Sequence, residues 1–221
     1  SDPIILGQNT IFAVNSKAME KIICGIQQMG IGVPDVQEVW KWYRKFFGAN
    51  VRVFEEAAEA PLMTRYTGGK VHSRTATLAL SMDGGGGFEI WQFTSRNTEE
   101  SKFDIQLGDY GLYSCRIKSR DVKASYDYFK ANGADIQGEL ATGPDGKPTF
   151  FVKDPNGNIF HLVEGSGWFR DTGHPSKCGT VAGSMIGVSD IEKSLVLYKD
   201  ILGYETVESV SYTHLRAHET Q

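Results

Sequence analysis

Cysteine is scarce in this chain of 221 residues: Cys24, Cys115 and Cys178 are all there are, with no C-x-x-C spacing among them. That excludes a disulfide framework or a thiolate metal cluster as the organising feature, and reduced thiols fit a cytoplasmic protein. Long apolar runs are missing too, since none reaches the roughly 18 residues of a membrane span. The net charge is only −4, which offers neither nucleic acid nor an anionic membrane a basic surface. No nucleophile elbow or paired Cys-His motif appears. The glycine run Gly84–Gly87 lacks the Lys and Ser/Thr of a phosphate-binding loop and reads as a turn. The chain opens with neither Met nor a signal-peptide pattern, which reads as a piece excised from something longer. What remains, 40% hydrophobic and 23% charged, is ordinary for a globular protein with one large core or two smaller ones.

The positive feature is a pattern written three times. A strand-like run ends at an Asp, an amphipathic helix follows, and a Gly closes it. Asp35 is followed by Gly48 after thirteen residues, Asp121 by Gly133 after twelve, and Asp190 by Gly203 after thirteen. A repeat this regular in position and type is architecture before it is function. Each Asp is a helix N-cap. Val36, Val39, Trp40, Tyr43 and Phe47 then line one helix face, and Gly48 sits where a left-handed C-terminal residue is wanted.

Taken in order, residues 1–23 read as an N-terminal arm. Residues 24–94 give strand (24–33), helix, strand (Val51–Glu55), a long connection (56–70) of the kind that carries function, and strands Thr75–Met82 and Phe88–Phe93. Residues 111–164 repeat the order, with strands at Leu112–Ser119, Ala134–Leu140, Thr149–Lys153 and Asn158–Glu164. Residues 165–182 read as a linker. A third unit, 183–210, supplies strand, helix and a strand at Tyr204–Val210, then stops, and residues 211–221 read as a non-native tail. Two βαβββ units and an incomplete third result. Cys115 alternates with Ser114 and Arg116 and is expected in the core, while His72 is expected at the surface and His174 in solvent.

Gly32-Val-Pro-Asp35 and, above all, Asp154-Pro-Asn-Gly-Asn-Ile-Phe-His-Leu-Val-Glu164 make the chain resemble the vicinal oxygen chelate superfamily, the glyoxalases, bleomycin-resistance proteins and extradiol dioxygenases. The resemblance covers about residues 24–210. It implies an α+β fold of tandem βαβββ modules, 24–94 and 111–164, pairing into an open, cupped, mixed β-sheet with helices outside. It also places candidate ligands on the first and fourth strands of each module. Those positions are Gln28 and Glu89 in the first module and Ser114 and His161 in the second. Gln28, Glu89 and His161 are competent metal ligands, whereas Ser114 is a poor one and Gly183 of the third unit is none.

The implied site is an amide oxygen, a carboxylate and an imidazole holding Zn, Ni, Fe or Mn as a Lewis acid. Glu89 and His161 are the catalytic candidates for moving a proton. Strand alternation adds Arg116 and Lys118 in phase with Ser114, and Trp91 and Phe93 in phase with Glu89, as substrate-binding candidates. Two cations above an aromatic wall suit a small oxygenated or anionic substrate with an apolar part. The implied function is a metal-assisted lyase or isomerase, or more weakly a dioxygenase, on such a substrate. The alternative is a metal-free protein of the bleomycin-resistance type that sequesters a small molecule. Neither reading involves nucleic acid or membrane, and a homodimer is left open.

Overall fold

The computed structural model describes Ile23 and residues 25–206, together with the backbone of a short strand pair, β1 (Ile5–Leu6) and β2 (Asn9–Thr10). The rest of the expected arm, Cys24, and the tail 211–221 lie outside the described residues. The first repeat is β3 (Gln28–Gly32), α1 (Val36–Phe47), β4 (Val51–Glu59), a 3-10 turn (Pro61–Tyr66), β5 (Ser73–Leu80) and β6 (Gly87–Phe93). The second is β7 (Gly111–Ser119), α2 (Val122–Ala131), β8 (Asp135–Thr142), β9 (Pro148–Lys153) and β10 (Ile159–Glu164). The third has β11 (Cys178–Gly187), α3 (Ile191–Leu195) and a π-helical turn (Val196–Ile201).

Each helix starts as the repeat demands. The Asp35 carboxylate accepts from the amides of Gln37 and Glu38 at 2.9 and 3.0 Å, Asp121 from Ala124 and Asp190 from Lys193. These bonds satisfy amides that no helical carbonyl can reach. Gly48, with φ 63°, then turns the chain out of α1 at no steric cost.

Within each of the first two repeats the first strand pairs parallel with the fourth, so the sheets run β3-β6-β5-β4 and β11-β7-β10-β9-β8. The α+β class and the βαβββ modules are therefore as expected. The join between modules falls elsewhere. β7 is extended by β11 of the third repeat, antiparallel, while β3 belongs to a separate four-stranded sheet.

Other limits shift for pairing reasons. β4 continues to Glu59 because Glu56, Ala57, Ala58 and Glu59 pair with β5, shortening the expected 56–70 connection. β11 begins at Cys178, inside the expected linker, because Ser119 and Ile117 offer it a partner strand. Residues 204–206 form no strand, and the rest of the strand expected at 204–210 lies outside the described residues. β11 also crosses the glycine run, where Gly86 bridges Val181. A Cβ on Gly85 would stand 2.7 Å from the Thr180 carbonyl carbon, so only glycine permits the crossing.

The two sheets share one core. From α1, Val36, Val39, Trp40, Tyr43, Phe46 and Phe47 are buried, and from α2, Val122, Tyr126 and Phe129. They pack with Phe88 and Ile90 of β6 and with Phe150, Val152, Phe160 and Leu162 of the second repeat. Rings from both repeats touch: Phe46 and Phe129 lie 4.8 Å apart, Phe47 and Phe160 4.9 Å, and Phe88 and Phe160 6.1 Å. The buried Tyr43 hydroxyl donates to Asp154 in the Asp-Pro-Asn-Gly turn at 2.8 Å, a bond between repeats.

The linker is pinned rather than loose. Asp83 accepts from the Thr172 amide and hydroxyl and pairs with Arg120 at 3.4 Å. The guanidinium of Arg120 and the ammonium of Lys118 both lie over the Trp168 ring, at 4.0 and 4.5 Å. His174, expected in solvent, is instead half-buried, with Nε2 donating to the Arg44 carbonyl at 3.1 Å and Nδ1 beside Ser176 Oγ at 2.8 Å. That Nε2 faces a carbonyl fixes the proton there.

Candidate functional site

Strand phase builds the first candidate face. On β6, Phe88 and Ile90 enter the core, so Glu89, Trp91 and Phe93 project from the other side. Ile31 of β3 and Val33 just after it enter the core, which puts Gln28, Gly30 and Gly32 on the side of Glu89. The parallel register sets Gly30 beside Glu89 and Gly32 beside Trp91. The side-chain amide of Gln28 meets the Glu89 carboxylate. Rotating the amide about its last bond would present its oxygen there instead.

This face lines a cavity of about 710 Å³ containing Gly30, Gly32, Glu89, Trp91, Phe93 and Arg74. Trp91 and Phe93 meet edge to face, with centroids 4.5 Å apart. Arg74 is held by Glu56, whose carboxylate it meets at 2.8 Å. Pro61, Leu62 and Met63 of the 3-10 turn close one rim. His72 lies near it, bonded to Ser95 at 3.1 Å with its ring 5.8 Å from Phe93.

His161 belongs to a different face. Phe160 and Leu162 enter the shared core, so His161 projects from the far side of the five-stranded sheet. Phe88 and Phe160 meet in that core, so alternation turns their neighbours Glu89 and His161 away from it, on two different sheets, and His161 is not among the residues that line the cavity at Glu89. The structure thus brings Gln28 and Glu89 together with Trp91 and Phe93, and does not bring His161 to them.

His161 stacks on Phe151 at 4.3 Å with the planes 7° apart, and its Nε2 meets Thr149 Oγ1. The Thr149 hydroxyl proton already goes to the Leu162 carbonyl at 2.7 Å, so Nε2–H is the donor to Thr149. Ser114, 4% exposed, lies on this second face two residues before Arg116, which pairs in register with His161. Ser114 Oγ is buried with no hydrogen-bond partner among the described residues.

Lys118 is 5% exposed and buried under the linker, where its ammonium donates to the carbonyls of Ser166 and Gly167 at 3.3 and 3.0 Å. Burial, with Arg120 nearby, lowers its pKa. Those bonds commit it to the linker and leave it no reach to a substrate. Cys115 is a core thiol as expected, its pKa pushed up to about 12 by burial.

Sequence reasoning missed Arg74, Gly30 and Gly32. The two glycines stand two and four residues after Gln28, so the period-2 rule that selected Trp91 and Phe93 from Glu89 would have found them. Arg74 carried no such signal, because its place beside Phe93 depends on the β5–β6 register. The rim residues Leu62 and Met63 lie in the connection singled out for function.

The family model described as Glyoxalase/Bleomycin resistance protein/Dioxygenase superfamily matches residues 25–162. No curated protein matches the chain. Among solved structures, a glyoxalase family protein from Bacillus cereus is 14% identical with a TM-score of 0.54, covering 67% of this chain and 99% of its own. Glyoxalase I from Zea mays is 18% identical with a TM-score of 0.51, covering 81% of this chain. This chain spans 55% of the maize protein's length. At these identities the likeness concerns the fold, which agrees with the modules described above. The match over more than half of its length makes the chain a member of the glyoxalase/bleomycin resistance protein/dioxygenase superfamily, the vicinal oxygen chelate proteins.

Proposed function

We propose that the chain carries the metal-holding half of a glyoxalase/dioxygenase-like enzyme of lyase or isomerase type, acting on a small oxygenated substrate. The observation that carries this reading is the contact of Gln28 with Glu89 on the wall of an aromatic-lined cavity of about 710 Å³. An amide oxygen and a carboxylate suit a divalent ion such as Zn, Ni, Fe or Mn, and together fill two of the four to six positions such ions take. The donor set therefore fits as a half-site. Further donors are expected from substrate oxygens and from another βαβββ module facing β3, whose outer edge carries no strand among the described residues. A second copy cannot offer β7 for this in the way β7 meets β11, because that edge is already paired.

When bound, the ion would supply Lewis-acid polarisation of two neighbouring substrate oxygens. The chain's own parts then divide the work. Glu89 is placed to hold the ion or to take a proton from the carbon beside those oxygens. Trp91 and Phe93 hold the apolar part of the substrate and exclude water, and Arg74 supplies positive charge at the rim. His161, Ser114 and Arg116 form a separate polar surface on the other sheet and have no part in this step.

Equilibrium dialysis of the chelator-stripped protein against Zn²⁺ or Ni²⁺ tests the proposal. Glu89→Gln and Gln28→Ala are each expected to weaken binding by about tenfold or more, while His161→Ala leaves it unchanged. Failure of the wild-type chain to take up either ion, or uptake indifferent to Glu89, would leave the metal-free sequestering protein as the reading of this cavity.

A further inference from the structure

Gly30 and Gly32 are successive positions on the cavity side of one strand, and the backbone does not require glycine at either. Neither has a positive φ, and a Cβ built on either meets nothing within 4 Å. Glycine inside a strand weakens it, and an unforced glycine marks a place where something else comes close to the backbone. Here the bare stretch is the floor of the cavity, beside Glu89 and Trp91.

We propose that this floor makes the cavity selective for substrates with a flat apolar group, which lies over Gly30 and Gly32 against Trp91. The inference rests on assigning the Gln28–Glu89 face as the substrate site. Trp91 has Gly32 on one side of its register and Ala76 on the other, so no bulky neighbour covers the indole across the sheet. Phe93 meets it edge to face and steadies the ring. Leu62, 93% exposed at the rim, places apolar surface where a bound ring would cover it. A flat group at Gly32 leaves attached oxygens near Gly30 and Glu89, two residues or about 6.6 Å along the strand. The cavity lies within the range of small-molecule sites and exceeds what a three-carbon substrate fills.

Two neutral vicinal diols isolate the effect from charge: 1-phenyl-1,2-ethanediol and 1,2-propanediol, titrated calorimetrically against protein with and without Zn²⁺. The phenyl diol is expected to bind about tenfold more tightly or better, because the ring brings most of the buried apolar area. Gly32→Val, which fills the floor, and Trp91→Ala, which removes the wall, are each expected to reduce that preference to about threefold or less. Gly30→Ala is the milder variant should Gly32→Val fail to fold. Equal affinities for the two diols, no detectable binding of the phenyl diol, or a preference that survives both substitutions overturns the inference. Zn²⁺ uptake measured on the same samples separates the two ideas. A phenyl preference without ion binding keeps this inference and sinks the catalytic reading, and ion binding without the preference does the reverse.

Discussion

Tyr43→Phe removes one oxygen from the centre of the molecule and asks whether the first two repeats fold as one body. The Tyr43 hydroxyl is fully buried and donates to Asp154 at 2.8 Å, 111 residues away. Asp154 also accepts from the amides of Asn156 and Asn158, both at 2.9 Å, and from the Asn158 side chain at 2.8 Å. A hydrogen bond to a charged group contributes about 1.5–3 kcal/mol. The three remaining donors soften the loss, so about 1.5–2 kcal/mol is expected, with ring contacts to Phe47, Phe88 and Phe160 kept. Burial first, and then the Asp154 charge, raises the phenol's pKa well above its usual value, so it stays protonated and the loss should be constant from pH 6 to 9. Urea unfolding followed by tryptophan fluorescence should show a lower midpoint, an unchanged slope and a single transition. A double-mutant cycle with Asp154→Ala should give a coupling of at least about 1 kcal/mol. A loss below about 0.5 kcal/mol, or a midpoint shift confined to one of two resolved transitions, would refute the shared core.

The remaining predictions concern the linker. Lys118→Met should free residues 165–170, so chymotrypsin is expected to cut near Trp168 or Phe169 several-fold faster than in the wild type, and an unchanged rate would mean that Asp83 and Arg120 suffice. His174 has its pKa lowered, chiefly by burial and against the opposing bond to the Arg44 carbonyl, so the folded state favours the neutral ring. The unfolded chain then binds the proton first as pH falls below about 6.5, and stability is lost from there downward by at most about 1.4 kcal/mol per pH unit. His174→Gln should flatten that part of the stability profile, measured as urea midpoints between pH 7 and 5, and an unaltered slope would assign the titration to another group.

The helices were legible because their signals are local. An Asp whose carboxylate reaches two amides and a Gly at φ 63° are decided within a few residues of the helix they bound. β4 was legible only in part. Glu56-Ala-Ala-Glu59 has no strand propensity, and it is extended because β5 lies beside it with open hydrogen-bonding groups. The start of β11 has the same cause, since Gly179-Thr180-Val181 reads as linker until β7 and the glycine run are placed against it. Pairing partners are non-local, and propensity gives way to them.

The site divides along the same line. Period-2 alternation within a strand names which residues share a face, and Glu89, Trp91 and Phe93 of β6 do line one cavity, with Gln28 of β3 meeting Glu89. Whether two sheets turn those faces toward each other is a question of how modules pack, and alternation says nothing of it. Here residues of both helices and both sheets, Phe88 against Phe160 among them, are buried in one core, which removes their apolar surface from water. That packing turns Glu89 and His161 away from the core on separate sheets. The free edge of β7 is taken by β11 of the third repeat. Gln28 beside Glu89, on a first strand whose outer edge is still unpaired among the described residues, is what such packing leaves behind in the first repeat.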